Sequence, residues 1–368
     1  MSSNYKSLGI RPVINANATL TKLGGSLMPT EVRQAMQDAA RSFVDIHQLQ
    51  LEVGKRLAEV TQNEGAFVSC GAATGLLLAT AACITKVSGT SYESFPNPLG
   101  TKNEVVVQKM HRNPYDYALR QAGASLVEIG TLDGTSLEDL ENAYSSSTVA
   151  IFWFQGDMNQ PNELPLEDVI QSAKKQGIPV IVDGAAQLPP VSNLWNFTLQ
   201  GADLAIFSGG KDLSGPQASG LIVGKSEWIE RIRTLGAPNH GVGRPMKVGK
   251  EEMMGLLAAV ERYVILDHDQ LLEVYEQRVQ SWIHGLNGKG GLSAIRDYPN
   301  EAGQPVPRAL VQLPEKLSKD EIVDQLMASE TAISVAPAEK LNAILLNPMT
   351  VSDEETQIVL EQILRVIN

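Results

Sequence analysis

A repeated alternation of short apolar segments and amphipathic segments between residues 66 and 224 constrains the fold more than any other feature. The apolar segments are rich in Val, Ile and Phe, as strands buried on both faces are, and a helical pattern follows four of them. This alternation predicts an α/β fold in which helices cover both faces of a mostly parallel sheet. The predicted strands cover residues 66–70, 104–108, 125–130, 148–154, 179–184, 203–209 and 218–224.

Helical patterns flank this region on both sides. An apolar-periodic segment over 29–61 predicts two helices separated near Asp45, and a long helical stretch covers 251–286. Beyond that stretch, the pattern predicts a smaller α+β domain of antiparallel strands with helices on one face. For the 368 residues we therefore expect an N-terminal segment, a large domain, and a long helix with a small C-terminal domain, over residues 1–30, 31–255 and 256–368.

The charge balance disfavours polyanionic partners. The chain has 30 Lys and Arg against 42 Asp and Glu, which gives a formal net charge of −12. A negative field of this size repels phosphate backbones and anionic lipid surfaces. We therefore expect neither nucleic acid nor a membrane as a partner.

Three further features that the sequence lacks narrow the possible classes of protein. The first residues contain no apolar signal core, so we expect a cytoplasmic protein. Cys70 and Cys83 form no CxxC motif, and we expect both to be reduced and structural. The five histidines show no metal-binding spacing, so no metal site is expected.

Two charged residues stand at the ends of predicted buried strands. Asp183 ends the strand 179–184, where a carboxylate is costly to bury without a cationic partner. Lys211 follows Ser208 and two glycines at the end of the strand 203–209, where little side-chain bulk blocks a ligand. Taken alone, a lysine after glycines is also typical of a solvated turn.

A third feature is the turn from the strand 66–70 into a helix through Gly71, Ala72 and Ala73. Such a turn presents free backbone N–H groups and the positive end of a helix dipole, which together can hold a phosphate. Plain strand-to-helix packing would produce the same sequence. Because ligands gather outside the carboxyl ends of parallel strands, we expect the turn, Asp183 and Lys211 to form one site.

A phosphate turn, then a strand-end Asp, then a Lys is the order found in pyridoxal phosphate enzymes of the aspartate aminotransferase fold, also called PLP fold type I. In these enzymes the lysine forms a Schiff base with the cofactor aldehyde. The Asp keeps the pyridine nitrogen protonated, so the ring accepts electrons, and the helix terminus anchors the phosphate.

The sequence more closely resembles the bacterial selenocysteine synthase (SelA-like) family and its shorter relatives that do not act on tRNA. The resemblance extends from residue 11 to about residue 263, and the C-terminal 100 residues add little. The most specific motif is S-G-x-K-x-x-x-G-P-Q-x-x-G over 208–220. The other matching segments are RPVINANATLTKLGG, GAATG and EVVVQKMHRNPYDYALRQAGASLVEIGT.

The resemblance assigns roles to residues of this sequence. It makes Lys211 the Schiff-base lysine, makes Asp183 the partner of the pyridine nitrogen, and gives phosphate binding to Gly71, Ala72, Ala73 and Ser208. His111 lies where related enzymes place a residue over the cofactor ring; the alternative is a surface histidine before a turn. Gln155 and Gln187 are each a candidate hydrogen-bond donor to the ring hydroxyl or an ordinary polar loop residue.

The departures from the family pattern concern the substrate. The family carries an extra N-terminal tRNA-binding domain, whereas the RPVIN motif begins here at residue 11, so we expect no tRNA substrate. The strand at 342–347 lacks the Arg that many enzymes of this fold use for the substrate carboxylate. Arg244 is the strongest candidate for binding anionic groups of the substrate, and Arg11, Lys247 and His240 are further candidates. The alternative for the loop is a solvated basic segment.

The resemblance is greatest to the branch that looks like D-glucosaminate-6-phosphate ammonia-lyase. It implies a pyridoxal phosphate lyase that eliminates ammonia from a phosphorylated 2-amino-3-hydroxy acid and gives a 2-keto-3-deoxy acid. Lys211 would remove the α-proton and His111 would assist loss of the hydroxyl. Racemisation, aldol cleavage, β-replacement and a non-catalytic role stay open. The family also implies a homodimer or higher homo-oligomer.

Overall fold

The computed structural model of the protein describes residues 5–97, 100–156 and 162–367. Its strands are β1 (Val13–Asn15), β2 (Gly65–Ser69), β3 (Glu104–Gln108), β4 (Ser125–Ile129), β5 (Thr148–Phe154), β6 (Val180–Asp183), β7 (Leu204–Ser208), β8 (Gly220–Gly224), β9 (Ser293–Asp297), β10 (Arg308–Gln312), β11 (Ala332–Ser334), β12 (Ala336–Pro337) and β13 (Ala343–Leu346). Its α-helices are α1 (Thr30–Ala39), α2 (Ile46–Val60), α3 (Gly71–Ser88), α4 (Tyr117–Gln121), α5 (Leu137–Asn142), α6 (Leu166–Gln176), α7 (Asn193–Leu199), α8 (Ser226–Leu235), α9 (Lys250–Val264), α10 (His268–Leu286), α11 (Lys319–Ala328) and α12 (Asp353–Ile367).

The chain divides into two compact units. One comprises Met28–Leu266, and the other combines Met1–Leu27 with Asp267–Asn368. The N-terminal segment joins the second unit because β1 pairs in parallel with β11. The division falls after α9, whereas the sequence pattern placed the domain boundary between residues 255 and 256.

The larger unit is built on a seven-stranded sheet with the order β2-β8-β7-β6-β5-β3-β4. β8 runs antiparallel to both of its neighbours, and the pairs from β7 to β4 are all parallel. The predicted mostly parallel sheet is therefore confirmed. In the register, Phe154 aligns with Asp183 and Asp183 with Ile206, so β5, β6 and β7 end at the same edge.

The core of this unit lies on both faces of the sheet. Every residue of β5 is buried. Ile151 and Trp153 belong to the apolar cluster that includes α2, α6 and α9, while Phe152 and Phe154 belong to the cluster that includes α3. Because side chains alternate along a strand, burial on both faces explains the continuous apolar runs in the sequence. The strand ends are thus held on a rigid layer.

The smaller unit has a four-stranded antiparallel sheet with the order β12-β13-β10-β9. Its core contains the fully buried Trp282, whose Nε1 donates a hydrogen bond of 2.9 Å to the Thr356 carbonyl. The predicted antiparallel character is confirmed for this sheet. The sequence pattern missed β1, β9 and the parallel pairing of β1 with β11.

The long helical stretch predicted over 251–286 is two helices, α9 and α10. The break occurs because Asp267 caps α10: its carboxylate accepts a hydrogen bond of 2.9 Å from the Gln270 N–H. Because a new helix starts after its N-cap residue, a single helix cannot continue through Asp267. The sequence analysis also missed α7 and α8, although Trp228, Ile229, Ile232 and Leu235 of α8 recur at helical spacing.

Among the described helices, α3 has the length and composition of a membrane span, yet 61% of that stretch is buried inside the protein. Buried core helices pass the same test. Cys83 of α3 is fully buried, and burial raises the pKa of its thiol, as expected for a structural cysteine. Within the described residues, no group of three His, Cys, Asp or Glu side chains is arranged to hold a metal ion.

The cap of α10 gives a stability prediction. Asp267→Ala leaves the first N–H groups of α10 without a side-chain acceptor, so we expect the helix to open more easily by about 1 kcal/mol. Hydrogen exchange followed by mass spectrometry should show about fivefold faster exchange in α10 peptides. Asp267→Asn, which keeps a capping oxygen, should exchange like the wild type; equal rates in all three proteins would contradict the assignment.

Candidate active site

The turn between β2 and α3 is shaped to receive an anion. Gly71 has a φ of +77°, and no described atom lies within 4 Å of where its Cβ would be. Ser69 Oγ donates a hydrogen bond of 2.9 Å to the Gly71 carbonyl, which fixes the turn. Cys70 offers no capping side chain and the first turn of α3 holds no acid, so the helix N-terminus keeps its positive character for a ligand.

β8 places the lysine loop beside this turn. Gly220 pairs with Ser69 on one side and with Ser208 on the other. A Cβ at Gly220 would lie 2.5 Å from the carbonyl carbon of Gly71, so only glycine allows this approach. The predicted phosphate residues, Gly71 to Ala73 and Ser208, are therefore brought together across one strand.

The loop that carries Lys211 folds back tightly on itself. The Gly215 N–H donates to the Gly209 carbonyl at 2.8 Å, and the Ser214 N–H donates to the Lys211 carbonyl at 2.9 Å. A Cβ at Gly210 would lie 2.5 Å from Gln217 Cα. The Gly-Pro-Gln motif thus returns the chain to β8 and holds Lys211, which is half-buried, at the end of β7.

Asp183 is a buried carboxylate at the end of β6, 8% exposed. Burial raises its pKa, while a hydrogen bond of 3.0 Å from the Ala185 N–H and the positive charge of Lys211 act in the opposite direction. A carboxylate in this position is stabilised as an anion by a nearby cation. A protonated pyridine nitrogen is such a cation.

The two predicted glutamines lie next to Asp183. The Gln155 N–H donates to the Asp183 carbonyl at 3.1 Å, and Gln155 Oε1 accepts a hydrogen bond of 3.0 Å from Trp153 Nε1. Gln187 is buried and its Nε2 donates to the Gln155 carbonyl at 3.3 Å. The structure therefore brings both to the strand-end edge, and their bonding to the ring hydroxyl stays a prediction.

His111 is buried, with its side chain only 1% exposed, so the alternative of a surface histidine does not describe it. Its Nε2 lies 2.9 Å from Glu163 Oε2, and its ring meets the Trp153 ring edge to face at 4.6 Å. A turn does follow His111 in the chain, where Asn113 Oδ1 accepts a hydrogen bond of 2.8 Å from the Tyr115 N–H. A position over the cofactor ring stays a prediction.

Sequence reasoning missed Glu163. It lies before α6 in a segment without apolar period, so no pattern marks it. Gln108, at the end of β3, holds this segment in place: its side chain accepts from the Leu164 N–H at 2.9 Å and donates to the Leu164 carbonyl at 3.1 Å. Glu163 is therefore placed by a contact between segments far apart in the chain, which a local sequence pattern does not show.

The predicted substrate cations are exposed. His240, Arg244 and Lys247 lie on the loop between α8 and α9, which a bridge between Gly236 and Gly243 closes. Arg11 belongs to the smaller unit, where its Nη1 donates to the Ser329 carbonyl at 2.8 Å. Their roles in substrate binding stay predictions.

The residues of the larger unit fit pyridoxal phosphate. The uncapped start of α3 suits its phosphate, buried Asp183 suits its pyridinium nitrogen, and Lys211 supplies an amine for its aldehyde. This places the protein among pyridoxal phosphate enzymes of the aspartate aminotransferase fold.

Comparison with known proteins gives the family. Residues 13–275 match the family model "SelA: L-seryl-tRNA selenium transferase", and the chain belongs to this family. It is 34% identical over 314 residues to a Streptomyces 5'-C-glycyluridine monooxygenase-decarboxylase, covering 83% of this chain and 76% of that one. It is 30% identical over 368 residues to the D-glucosaminate-6-phosphate ammonia lyase of Salmonella typhimurium, covering 98% and 96%.

Solved structures agree with this assignment. A structure of D-glucosaminate-6-phosphate ammonia-lyase superposes with a TM-score of 0.84 at 29% identity and covers 100% of this chain and 99% of that one. An aspartate aminotransferase from Thermotoga maritima, at 16% identity and a TM-score of 0.56 over 98% and 93% of the two chains, shows the fold alone. The predicted fold, family and cofactor are confirmed: the protein is a pyridoxal phosphate-dependent enzyme.

Lys211 provides the first test of the site. Lys211→Ala removes the amine that binds the cofactor aldehyde, so we expect loss of the visible absorbance of the reconstituted protein and loss of turnover. Lys225→Ala is the matched control, because Lys225 lies beyond the opposite end of β8 and pairs with Asp203 at 2.7 Å. Retained turnover in Lys211→Ala would remove this lysine from the active site.

Proposed function

We propose that the protein eliminates ammonia from a 2-amino-3-hydroxy acid and forms a 2-keto-3-deoxy acid, with a phosphorylated amino sugar acid as substrate. The observation that carries the proposal is the strand-end group of Asp183, Lys211 and the α3 N-terminus in a chain that matches an ammonia lyase along nearly its whole length. Loss of the hydroxyl precedes release of ammonia, so the chemistry needs a base at the α-carbon and an acid at the β-oxygen.

Each residue of the site has a task in this reaction. The bound cofactor supplies an electron-accepting ring that stabilises negative charge at the α-carbon. Asp183 keeps a proton on the pyridine nitrogen, and the first N–H groups of α3 hold the phosphate. Lys211 would bind the aldehyde of the cofactor, and its Nζ would take the α-proton of the substrate. His111 donates a proton to the departing hydroxyl oxygen.

The cations of the loop between α8 and α9 are proposed to bind the acidic groups of the substrate. Arg244, with Lys247 and His240, offers both a bidentate guanidinium and point charges on an exposed, glycine-rich segment. Arg308 of β10 is not suited to the substrate carboxylate, because Asp297 and Glu301 already bind its guanidinium. Arg11 is proposed as an additional anchor.

The partners follow from the same proposal. We propose a small anionic substrate and no tRNA, although L-seryl-tRNA selenium transferases share the family. The formal net charge of −12 supports this, since a polyanion would be repelled. A homodimer or higher homo-oligomer is proposed from the family resemblance, and a cytoplasmic location is also proposed.

A second candidate is an oxidative decarboxylation of an amino acid. The observation that favours it is the 34% identity to a monooxygenase-decarboxylase over 83% of this chain. Such a reaction would use the same Lys211 and Asp183 but consume dioxygen and release carbon dioxide. Racemisation, aldol cleavage and β-replacement would also use this pair, because the bond that breaks depends on the substrate's orientation.

The deciding experiment combines spectra with product analysis. The protein is reconstituted with pyridoxal phosphate, its visible spectrum is recorded, and D-glucosaminate 6-phosphate is added under air while keto acid, ammonia and dissolved oxygen are measured. Keto acid and ammonia without oxygen consumption support the proposal. Oxygen consumption with an amino acid substrate would favour the second candidate, and a spectral change without either product would point to another reaction of the same cofactor.

Arg244 gives a prediction about the substrate. Arg244→Ala removes one charge-assisted contact, so we expect KM for the phosphorylated substrate to rise about tenfold to 100-fold. KM for unphosphorylated D-glucosaminate should change much less. Arg231→Ala, an exposed arginine of α8, is the control. Equal effects of Arg244→Ala on both substrates would remove its role in phosphate recognition.

A further inference from the structure

His111, which is buried, and Glu163, which is half-buried, form a pair in the larger unit. His111 Nε2 lies 2.9 Å from Glu163 Oε2, and Glu163 itself is only 22% exposed. The imidazole is also held edge-on against Trp153 at 4.6 Å and 81°. Two different contacts therefore fix both the position and the plane of the ring.

The pair belongs to the edge where Asp183 ends its strand. Trp153, which contacts the imidazole, donates its Nε1–H to Gln155 Oε1 at 3.0 Å. The Gln155 N–H in turn donates to the Asp183 carbonyl at 3.1 Å. A continuous set of contacts thus connects the imidazole with the residue that faces the pyridine nitrogen.

The other ring nitrogen of His111 is left for a ligand. Nδ1 is buried and has no hydrogen-bond partner among the described residues. A buried polar atom without a partner costs about 1–3 kcal/mol, so such an atom in an active site indicates a group that the substrate or cofactor supplies. Glu163, as a carboxylate, only accepts, so the proton of the neutral imidazole lies on Nε2.

We propose that Glu163 is a positioning residue that keeps the Nε2–H tautomer of His111 and thereby directs Nδ1 at the β-hydroxyl of the substrate. In the cationic imidazole both nitrogens carry protons, and the Glu163 carboxylate stabilises that charge. As the bond from the β-carbon to oxygen breaks, its electron pair moves to oxygen and takes the Nδ1 proton, so water leaves. The electron pair left at the α-carbon by removal of its proton forms the double bond to the β-carbon. This inference rests on the proposed function for the identity of the hydroxyl.

Nitrogen NMR of the holoenzyme tests the positioning directly. With ¹⁵N-labelled histidine the chain gives five imidazoles, and His111→Gln identifies the signals of His111. In the neutral imidazole of the wild type we expect a protonated Nε2 and a bare Nδ1. Glu163→Gln has nearly the same shape but can both donate and accept, so the preference for one tautomer should be lost.

Kinetics supply the second measurement. Without the carboxylate the imidazolium is less stable, so we expect Glu163→Gln to lower kcat about tenfold to 100-fold and to change KM less than about twofold. Glu167→Gln, an exposed carboxylate in the first turn of α6, is the matched control. Its NMR signals and kcat should equal those of the wild type.

The outcomes separate this inference from the proposed function. A lost tautomer preference together with a lower kcat supports it; an unchanged tautomer or an unchanged kcat in Glu163→Gln overturns it. If the wild type forms no keto acid from the phosphorylated sugar acid, the proposed function fails. In that case the NMR comparison still decides whether Glu163 sets the tautomer of His111.

Discussion

The free-energy cost of burying the Asp183 carboxylate is the main constraint on the site in the larger unit. Asp183 ends a strand whose every residue is buried, and burial raises its pKa. An ion in such a place needs compensating charge, and among the described residues the Ala185 N–H and the charge of Lys211 supply it. This edge of the sheet therefore favours a cationic group next to Asp183. The surrounding strands, fixed in register on both sides of β6, keep this carboxylate from relaxing towards water.

The phosphate end of the cofactor would be held by a different interaction, with the start of α3. The start of α3 presents backbone N–H groups and a partial positive charge, without a capping side chain to compete. A negative group is favoured there and a positive group at Asp183, so we propose that these two places set the orientation of a cofactor that carries both charges. Glycine at position 220 allows β8 to approach the helix start, and glycine at position 71 allows the positive φ of the turn.

Much of this could be predicted from the sequence, because the signals are local. Fully apolar strands mark a doubly covered sheet, and a charged residue directly after such a strand stands out. The missed features depend on contacts between distant segments. β1 is three residues long and is a strand only because it pairs with β11. Glu163 is held in place by the hydrogen bonds of Gln108 to the neighbouring Leu164. The only sign of the break before α10 is Asp267, a residue type that caps helices, in an otherwise continuous apolar period.

The position of β8 has a consequence for how the protein is made. β2 emerges early in synthesis, but its partner in the described sheet is β8, so Ser69 pairs with Gly220 only after the chain between them has been made. Contacts between residues so far apart form slowly, because the intervening chain must first be ordered. The phosphate turn therefore gains its final shape only when the last strand of the sheet is inserted. The residues on both sides of β8 that we propose to bind the cofactor come together only after β8 has joined the sheet.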